Sequence, residues 1–199
     1  MKLVFGLGNP GKKYERTRHN AGFLAIDHYL KDKEPIACQS KFAAEICELH
    51  FGSNKVLFIK PQSFMNKSGE VVQEVVQFYK VDPAQDILII HDDKDLPLGT
   101  IRSTNDSSAA GHNGVQNVID HLSIQNFHRI RIGVESREPG SPIATDDFVL
   151  QNFSDEEWAL IEKDILSQSS LLIGQFVSDW ATSLKFLHSA TSAKSISES

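Results

Sequence analysis

Four short polar clusters hold the residues of this sequence that could do chemistry. In chain order they read NPG…RHNAG (residues 9–22), PQSFMNKSG (61–69), HDDKDLP (91–97) and AAGHNG (109–114). Three of the clusters contain an asparagine, namely Asn9, Asn66 and Asn113. Converging carboxamides can orient an uncharged ester or peptide and can stabilise a developing oxyanion. Taken singly, each asparagine could instead be a turn or cap residue.

The same clusters contain histidines, the side chains best suited to act as a general base near neutral pH. The candidates are His19, His91 and His112. Asp92 follows the apolar run DILIIH and could fix the tautomer of a neighbouring imidazole. We expect His19 to share a pocket with Asn9. Because no serine lies in a G-x-S-x-G nucleophile elbow, attack by an activated water is favoured over an acyl-enzyme.

A metal site is the alternative interpretation of HDDKD, since clustered carboxylates suit Mg²⁺. Its ligands would be Asp92, Asp93 and Asp95. Lys94 stands among them, however, and Asp95-Leu96-Pro97 is typical of a turn whose carboxylate accepts from backbone amides. We therefore predict no metal and no cofactor.

Gly6, Gly8 and Gly11 have the G-x-G-x-x-G spacing of a dinucleotide-binding turn. That motif needs a helix that begins within the glycines, whereas KKYERTRHN has no apolar face before Phe23. The simplest alternative is a tight turn after the first strand. We favour a turn in which Pro10 and the glycines hold the Asn9 amide at a strand end.

Alternating strands and helices must position these clusters. Strands are predicted at KLVFGLG, AAEICELHF, KVLFIK, DILIIHD, GTIRST and HRIRIGV, with a hairpin around GSN. Helices are predicted from about Ala21 to Lys31, in VVQEVVQFY, in NGVQNVIDHL, and from Ser154 to about His188, where Ser154 and Glu157 form a capping-box pattern.

This order of elements predicts an α/β fold, a single domain with a twisted mixed β-sheet and helices on both faces. The domain would span residues 1–188, and 189–199 would form a flexible tail. Sites in such sheets gather at the carboxyl ends of strands. Asn9, Asp92 and the loop before His112 are expected at that edge.

Composition narrows the function classes. The 199 residues are 40% hydrophobic and 23% charged, as in one soluble globular domain, and no run approaches the roughly 18 apolar residues of a membrane span. A net charge of −6 argues against a broad nucleic-acid-coating surface. The first residues carry no signal or transit pattern, which predicts a cytoplasmic protein. Cys38 and Cys47 lack metal-ligand spacing and are predicted to be reduced packing residues.

Taken together, these segments resemble the bacterial peptidyl-tRNA hydrolase family. The resemblance runs, in family order, through GLGNPGKKYERTRHNAG, KPQSFMNKSG, HDDKDLPLG, GHNGVQNVI, FHRIRIGVE and DFVLQNFSDEE. It implies a metal-independent, monomeric, cytoplasmic enzyme whose partner is peptidyl-tRNA. Such an enzyme hydrolyses the ester between peptide and tRNA and recycles tRNA from abortive translation. A non-catalytic RNA-binding relative of the same fold is the alternative.

The resemblance also implies roles for individual residues. His19 would be the base that activates water, Asp92 would hold it in its basic form, and Asn9 would distinguish blocked from free aminoacyl ends. The remaining site residues would contact the tRNA end or the peptide, or shape the wall beside them: Tyr14, Phe64, Met65, Asn66, Asn113 and, at the rim, His112.

Two departures from the family pattern concern the grip on tRNA. The family's GSAGGHNG reads SSAAGHNG here, which predicts a stiffer loop before His112. A basic residue eight positions before that histidine, which helps hold the terminal phosphate of tRNA, is Thr104 here. Arg102 and Arg131 remain as candidates for the phosphate clamp, and we expect weaker dependence on the 5′-phosphate.

Overall fold

The computed structural model describes residues 1–178 and the backbone of 191–192, and in this part of the chain eight strands form one sheet. The strands are β1 (Lys2–Gly6), β2 (Ala37–Lys41), β3 (Ala44–Phe51), β4 (Asn54–Pro61), β5 (Ile87–Pro97), β6 (Thr100–Thr104), β7 (His128–Glu135) and β8 (Thr191–Ser192). Their order is β2-β3-β4-β1-β5-β7-β6-β8. The four strands β4, β1, β5 and β7 are parallel, so their carboxyl ends lie at one edge.

Helices cover both faces of this sheet. They are α1 (Ala21–Leu30), α2 (Ser68–Tyr79), α3 (Pro83–Asp86), α4 (Asn113–Leu122), α5 (Thr145–Val149), α6 (Asp155–Leu160) and α7 (Leu166–Ser178). One apolar core lies beneath α1 and α7, and a second lies beneath α2 and α4. The predicted α/β fold with a mixed sheet and helices on both faces is confirmed.

The central strands are buried along their length, which explains their continuous apolar sequence. All five residues of β1 are buried, as are the first seven residues of β5. A parallel strand that is covered by helices on both faces has no solvent side and needs no polar alternation. The polar residues of HDDKD are therefore unusual within β5, and three of them, His91, Asp92 and Asp93, are buried as well.

Most predicted elements are present, with three corrections. The cysteines are not reduced: Cys38 and Cys47 are opposite each other in the β2–β3 register and form a disulfide. The predicted Asp95-Leu96-Pro97 turn is wrong, because β5 continues to Pro97 across an irregularity in its pairing with β7. Strand β2 was not predicted, since its five residues are all exposed and lack an apolar alternation.

The helix predicted from Ser154 begins with the expected capping box of Ser154 and Glu157. It continues through a π-helical turn, Ile161–Ile165, into α7. The predicted end near His188 lies outside the described residues. So does the predicted flexible tail, apart from Thr191–Ser192, whose backbone pairs with β6. Within the described residues, no helix is both long and apolar enough to cross a membrane.

Candidate active site

Two histidines share one carboxylate oxygen at the carboxyl-end edge of the sheet. Nδ1 of His19 lies 2.8 Å from Oδ1 of Asp92, and Nε2 of His112 lies 2.9 Å from the same oxygen. All three side chains are buried, and the two imidazole centroids are 4.9 Å apart. The predicted His19–Asp92 pair is therefore extended by His112. His112 was expected at the rim of the site, and this expectation is wrong because the residue is only 9% exposed.

The hydrogen bonds fix the tautomer of both imidazoles. His112 is the N-cap of α4, where its Nδ1 accepts from the backbone N–H of Val115. Its proton is therefore on Nε2, from which it donates to Asp92. An ionised Asp92 can only accept, so Nδ1 of His19 also donates to it. The lone pair of His19 is then on Nε2, which is the arrangement that a general base requires.

Electrostatics favour the charged form of His19. Burial lowers its pKa, but the negative charge and hydrogen bond of Asp92 outweigh this effect, and Asp146 adds a smaller increase. The net result is a pKa above the ordinary value of histidine. Burial tends to raise the pKa of Asp92, yet the two histidines hold it far below its ordinary value. Asp92 therefore remains ionised while His19 gains and loses a proton.

The amide of Asn9 is held from two sides. Asn20 clamps its backbone, because Oδ1 of Asn20 accepts from N of Asn9 at 2.9 Å and Nδ2 of Asn20 donates to its carbonyl at 3.0 Å. Oδ1 of Asn9 accepts from the backbone N–H of Met65, also at 2.9 Å. Because the side-chain oxygen of Asn9 accepts this bond, its Nδ2 group is the part of the amide that is left to donate to another molecule. Asn20 and Met65 thus hold this residue in place, and the predicted role of Pro10 and the glycines in doing so stays a prediction.

A cleft of about 290 Å³ brings the three asparagines together with His19. The wall of this cleft comes from the segments after β1 and β4, from the start of α4 and from α5. Its lining residues are Asn9, His19, Phe64, Met65, Asn66, Asn113, Asp146, Val149 and Leu150. Met65 is buried, whereas Phe64 is 57% exposed and presents its ring to solvent. The cleft therefore combines carboxamides, an imidazole and an apolar wall.

Close backbone contacts place His19 at this cleft. A Cβ at Gly22 would overlap the carbonyl oxygen of Ile90 and the backbone of Leu7, and one at Gly6 would overlap the carbonyl of Gly22. Glycine at both positions lets the start of α1 lie directly on β1 and β5. The dinucleotide-binding alternative does not fit, because α1 begins at Ala21, well after Gly11.

Arg18 anchors the turn that carries His19. Its guanidinium contacts both carboxylate oxygens of Glu157, at 2.7 and 2.8 Å, and donates to the carbonyl of Asn152 at 2.9 Å. The same group lies 4.3 Å from the ring centroid of Phe148. Both contacts to Glu157 come from Nη2, and Nη1 makes the bond to Asn152, so the two ends of the guanidinium are held by different partners. The turn is thus attached to the segment around α5 and α6.

The carboxylates of HDDKD point to different partners, which weighs against the Mg²⁺ alternative. Asp92 serves the two histidines, Asp93 pairs with Nε of Arg131, and Asp95 pairs with Lys94. The group with metal-ligand spacing in the described residues is instead His19, Asp92 and His112. His91 donates from Nδ1 to the carbonyl of Asp92 at 2.6 Å. Burial and then His112 keep the pKa of His91 well below its ordinary value, so it is neutral.

The two arginines of the predicted phosphate clamp are adjacent. Arg102 and Arg131 are directly opposite in the β6–β7 register, and Thr104 is opposite Arg129. Arg102 is exposed and Arg131 is half-buried. Arg129 is buried, and it donates to the carbonyls of Ser107, Ser108 and Gln125. It thereby ties down the loop that leads to His112.

Two predicted substrate residues do not line the cleft: His112 lines a smaller cavity that also contacts His19, whereas Tyr14 lines neither. It ends a 3-10 turn, Lys12–Tyr14, where the Nζ of Lys13 lies 4.7 Å from its ring centroid. Sequence reasoning in turn missed Asn20, Asp146 and Leu150. Asn20 follows His19 directly in RHNAG, Asp146 lies in α5, and Leu150 is the residue after α5. Their polar or exposed character alone did not distinguish them from loop residues.

Comparison with known proteins identifies the family. The model of the family described as "Peptidyl-tRNA hydrolase" matches residues 3–195. The chain belongs to the peptidyl-tRNA hydrolase family. Membership in this family makes the chain an enzyme, a hydrolase that acts in translation.

Individual members of the family cover most of the chain. The peptidyl-tRNA hydrolase of Brevibacillus brevis is 49% identical over 166 residues, which are 83% of this chain and 86% of that protein. The one from Mycoplasma capricolum is 40% identical over 188 residues, 94% of this chain and 97% of that protein. The crystal structure of peptidyl-tRNA hydrolase from Acinetobacter baumannii superposes with a TM-score of 0.75 at 32% identity, and it covers 89% of this chain and 93% of that chain.

Proposed function

We propose that the chain hydrolyses the ester between the peptide and the terminal ribose of peptidyl-tRNA, with His19 as the base that activates water. The observation that carries the mechanism is the shared position of His19 and three asparagines on one cleft, with Asp92 on the far side of the imidazole. A base, a carboxylate that orients it and amide donors are the groups that hydrolysis of an ester by water requires.

In the first step, Nε2 of His19 removes a proton from a water molecule as the water oxygen attacks the ester carbonyl carbon. The carbonyl oxygen becomes an oxyanion, which accepts hydrogen bonds from amide N–H groups at the cleft. Asp92 stabilises the imidazolium that forms on His19. The tetrahedral intermediate then collapses, the ribose oxygen leaves, and it takes the proton from Nε2 of His19. The products are a tRNA with a free terminal hydroxyl and a peptide carboxylic acid, which loses its proton to solvent.

The remaining cleft residues bind the two sides of the ester. Asn9 has its oxygen fixed by Met65, so it donates from Nδ2 and selects for a blocked amino group whose carbonyl can accept. Phe64 and Met65 form an apolar wall for the terminal base or for a peptide side chain. Asn66 and Asn113 supply further amide contacts. His112 acts through Asp92 and caps α4, and Tyr14 contacts the tRNA outside the cleft.

The phosphate clamp of this enzyme consists of Arg102 and Arg131. Their side chains emerge from the same face of the β6–β7 pair. One of them, Arg131, is held by Asp93, whose neighbour Asp92 belongs to the base. We also propose that the enzyme acts as a monomer in the cytoplasm, where its tRNA substrate is used.

The decisive experiment is cleavage of peptidyl-tRNA by the wild-type enzyme, by the enzyme freed of metal with EDTA, and by His19→Ala. We expect the EDTA-treated enzyme to remain active and His19→Ala to lose on the order of 10²–10⁴-fold in turnover while it still binds substrate. Loss of activity on EDTA treatment would support the Mg²⁺-dependent alternative. Binding without cleavage by the wild type would support the non-catalytic RNA-binding alternative.

A further inference from the structure

The His19–Asp92–His112 group has the composition of a transition-metal site as well as that of a proton relay. Two imidazole nitrogens and one carboxylate oxygen lie within 4.8 Å of one another. Two neutral imidazoles with one carboxylate are a donor set that Zn²⁺ uses in proteins. Harder ions such as Mg²⁺ prefer oxygen ligands, so this set discriminates against them.

An ion could be bound if both imidazoles rotate. With zinc–ligand bonds of about 2.0–2.2 Å, tetrahedral geometry places two ligand atoms roughly 3.3 Å apart. The nitrogens of His19 and His112 now lie 2.8 and 2.9 Å from Oδ1 of Asp92. Each of these contacts must open by about half an ångström. The two nitrogens, which lie within 4.8 Å of each other, must instead approach to roughly 3.3 Å, so both imidazoles have to rotate.

Space and a further donor lie beside the group. A cavity of about 30 Å³ is lined by His19, Asp92, His112 and His91, a volume sufficient for a water or a small ion. His91 is 3% exposed, and its Nε2 has no hydrogen-bond partner among the described residues. Two charged side chains also line the cavity: Asp146 favours a bound cation, whereas Lys94, paired with Asp95, opposes it.

We propose that a divalent transition ion of the zinc class binds to His19, Asp92 and His112 and inhibits the enzyme. Coordination at Nδ1 of His19 moves the proton of that imidazole to Nε2. The lone pair that would accept a proton from water is then lost. Each imidazole keeps one proton, and the ion replaces the two N–H donors that now face the carboxylate.

The same ion also affects the start of α4. Coordination by Nε2 of His112 moves its proton to Nδ1, which can then no longer accept from the N–H of Val115. The helix loses its side-chain cap, and the first residue of that helix, Asn113, lines the cleft. Inhibition would therefore combine loss of the base with a loosened substrate contact.

Direct binding is the first test, and it requires no substrate. Wild-type enzyme freed of metal with EDTA would be titrated with Zn²⁺ by calorimetry and with Co²⁺ by visible absorption, in buffer without thiols. We expect one site per chain and the absorption of a tetrahedral cobalt complex. His112→Asn, which retains a cap-forming side chain, should weaken binding on the order of 10–100-fold. His121→Asn, on the same helix, is the matched control and should bind as the wild type does.

Inhibition is the second test, and it rests on the proposed role of His19. Zn²⁺ should inhibit wild-type cleavage of peptidyl-tRNA in the presence of excess Mg²⁺. In His112→Asn, the Zn²⁺ concentration that gives half-maximal inhibition should rise by the same factor as the dissociation constant for Zn²⁺. Circular dichroism verifies that each variant is folded. Absence of one-site binding, or equal binding by the wild type and folded His112→Asn, would overturn the site. Binding without inhibition would overturn the inhibitory role and leave the hydrolase function to its own test.

Discussion

Oδ1 of Asp92 accepts hydrogen bonds from both Nδ1 of His19 and Nε2 of His112. One buried oxygen thus organises an imidazole from the segment before α1 and another from the cap of α4. Removing the charge of Asp92 should therefore weaken its contacts with both histidines. The Asp92 charge is also the main influence that raises the pKa of His19 against the opposing effect of burial.

Replacing Asp92 with asparagine should lower turnover and change its pH dependence. Without the carboxylate, burial should lower the pKa of His19, and because the base acts in its unprotonated form, the acid limb of kcat/KM should move to lower pH. The loss of kcat at neutral pH should be on the order of 10²–10⁴-fold, since the tautomer is no longer fixed. Rates from pH 5 to 9 measure both effects. An unchanged acid limb in a folded variant would contradict the assignment.

Asp146→Asn should produce a smaller shift in the same direction. Burial lowers the pKa of His19, Asp92 raises it most, and Asp146 adds to the increase. Removing the Asp146 charge therefore lowers the pKa of His19. The acid limb of kcat/KM should move to lower pH, while the rate at high pH should change little. Asp147→Asn is the matched control, because this neighbour on α5 does not line the cleft. Equal shifts in both variants would indicate a general charge effect.

Thr104→Lys should restore a stronger dependence on the 5′-phosphate of tRNA. Thr104 is opposite Arg129 on β7, two residues along β6 from the exposed Arg102. A lysine there would add a third cation to the proposed clamp of Arg102 and Arg131 and increase the contribution of the phosphate to binding. The ratio of kcat/KM for substrates with and without the 5′-phosphate measures this. The wild type should show the smaller ratio, and equal ratios for both proteins would rule out a clamp at this position.

Arg18→Met should lower stability and activity together. The substitution leaves Glu157 without its charged partner, and removal of one member of a largely buried ion pair costs about 2–4 kcal/mol in the free energy of unfolding. Because the turn that carries His19 is anchored through Arg18, kcat should fall more than KM rises. Urea unfolding and steady-state kinetics test both parts. Arg16→Met, an exposed arginine on the ring of Trp158, is the control and should cost less than about 1 kcal/mol.

The fold could be predicted from the sequence because most helices and strands carry their own local sequence signals. The apolar runs of β1 and β5 and the capping box at Ser154 each determine their own conformation. Strand β2 escaped prediction because a polar edge strand depends on its partner β3 and not on its own pattern. The Cys38–Cys47 bond escaped for the same reason, since the register of β2 and β3 creates it.

The site was predicted in part. Polar residues at the ends of parallel strands must meet at one edge, which is why Asn9 and Asp92 were expected near each other. His112 also donates to Asp92, and Asn20 bonds to the backbone of Asn9. Both contacts depend on side-chain orientations, which cannot be predicted from the spacing of residues in the sequence. Tyr14 was expected in the site and lies outside the cleft, and its contact with tRNA stays a prediction.

Gly22 links the architecture of this enzyme to its chemistry. Any larger residue at this position would push the beginning of α1 away from Ile90 and Leu7. His19 lies three residues earlier and would move with it, away from the carboxylate on β5. A variant with a larger residue at this position would keep all its reacting side chains, but the displaced backbone would move them out of the arrangement needed for hydrolysis.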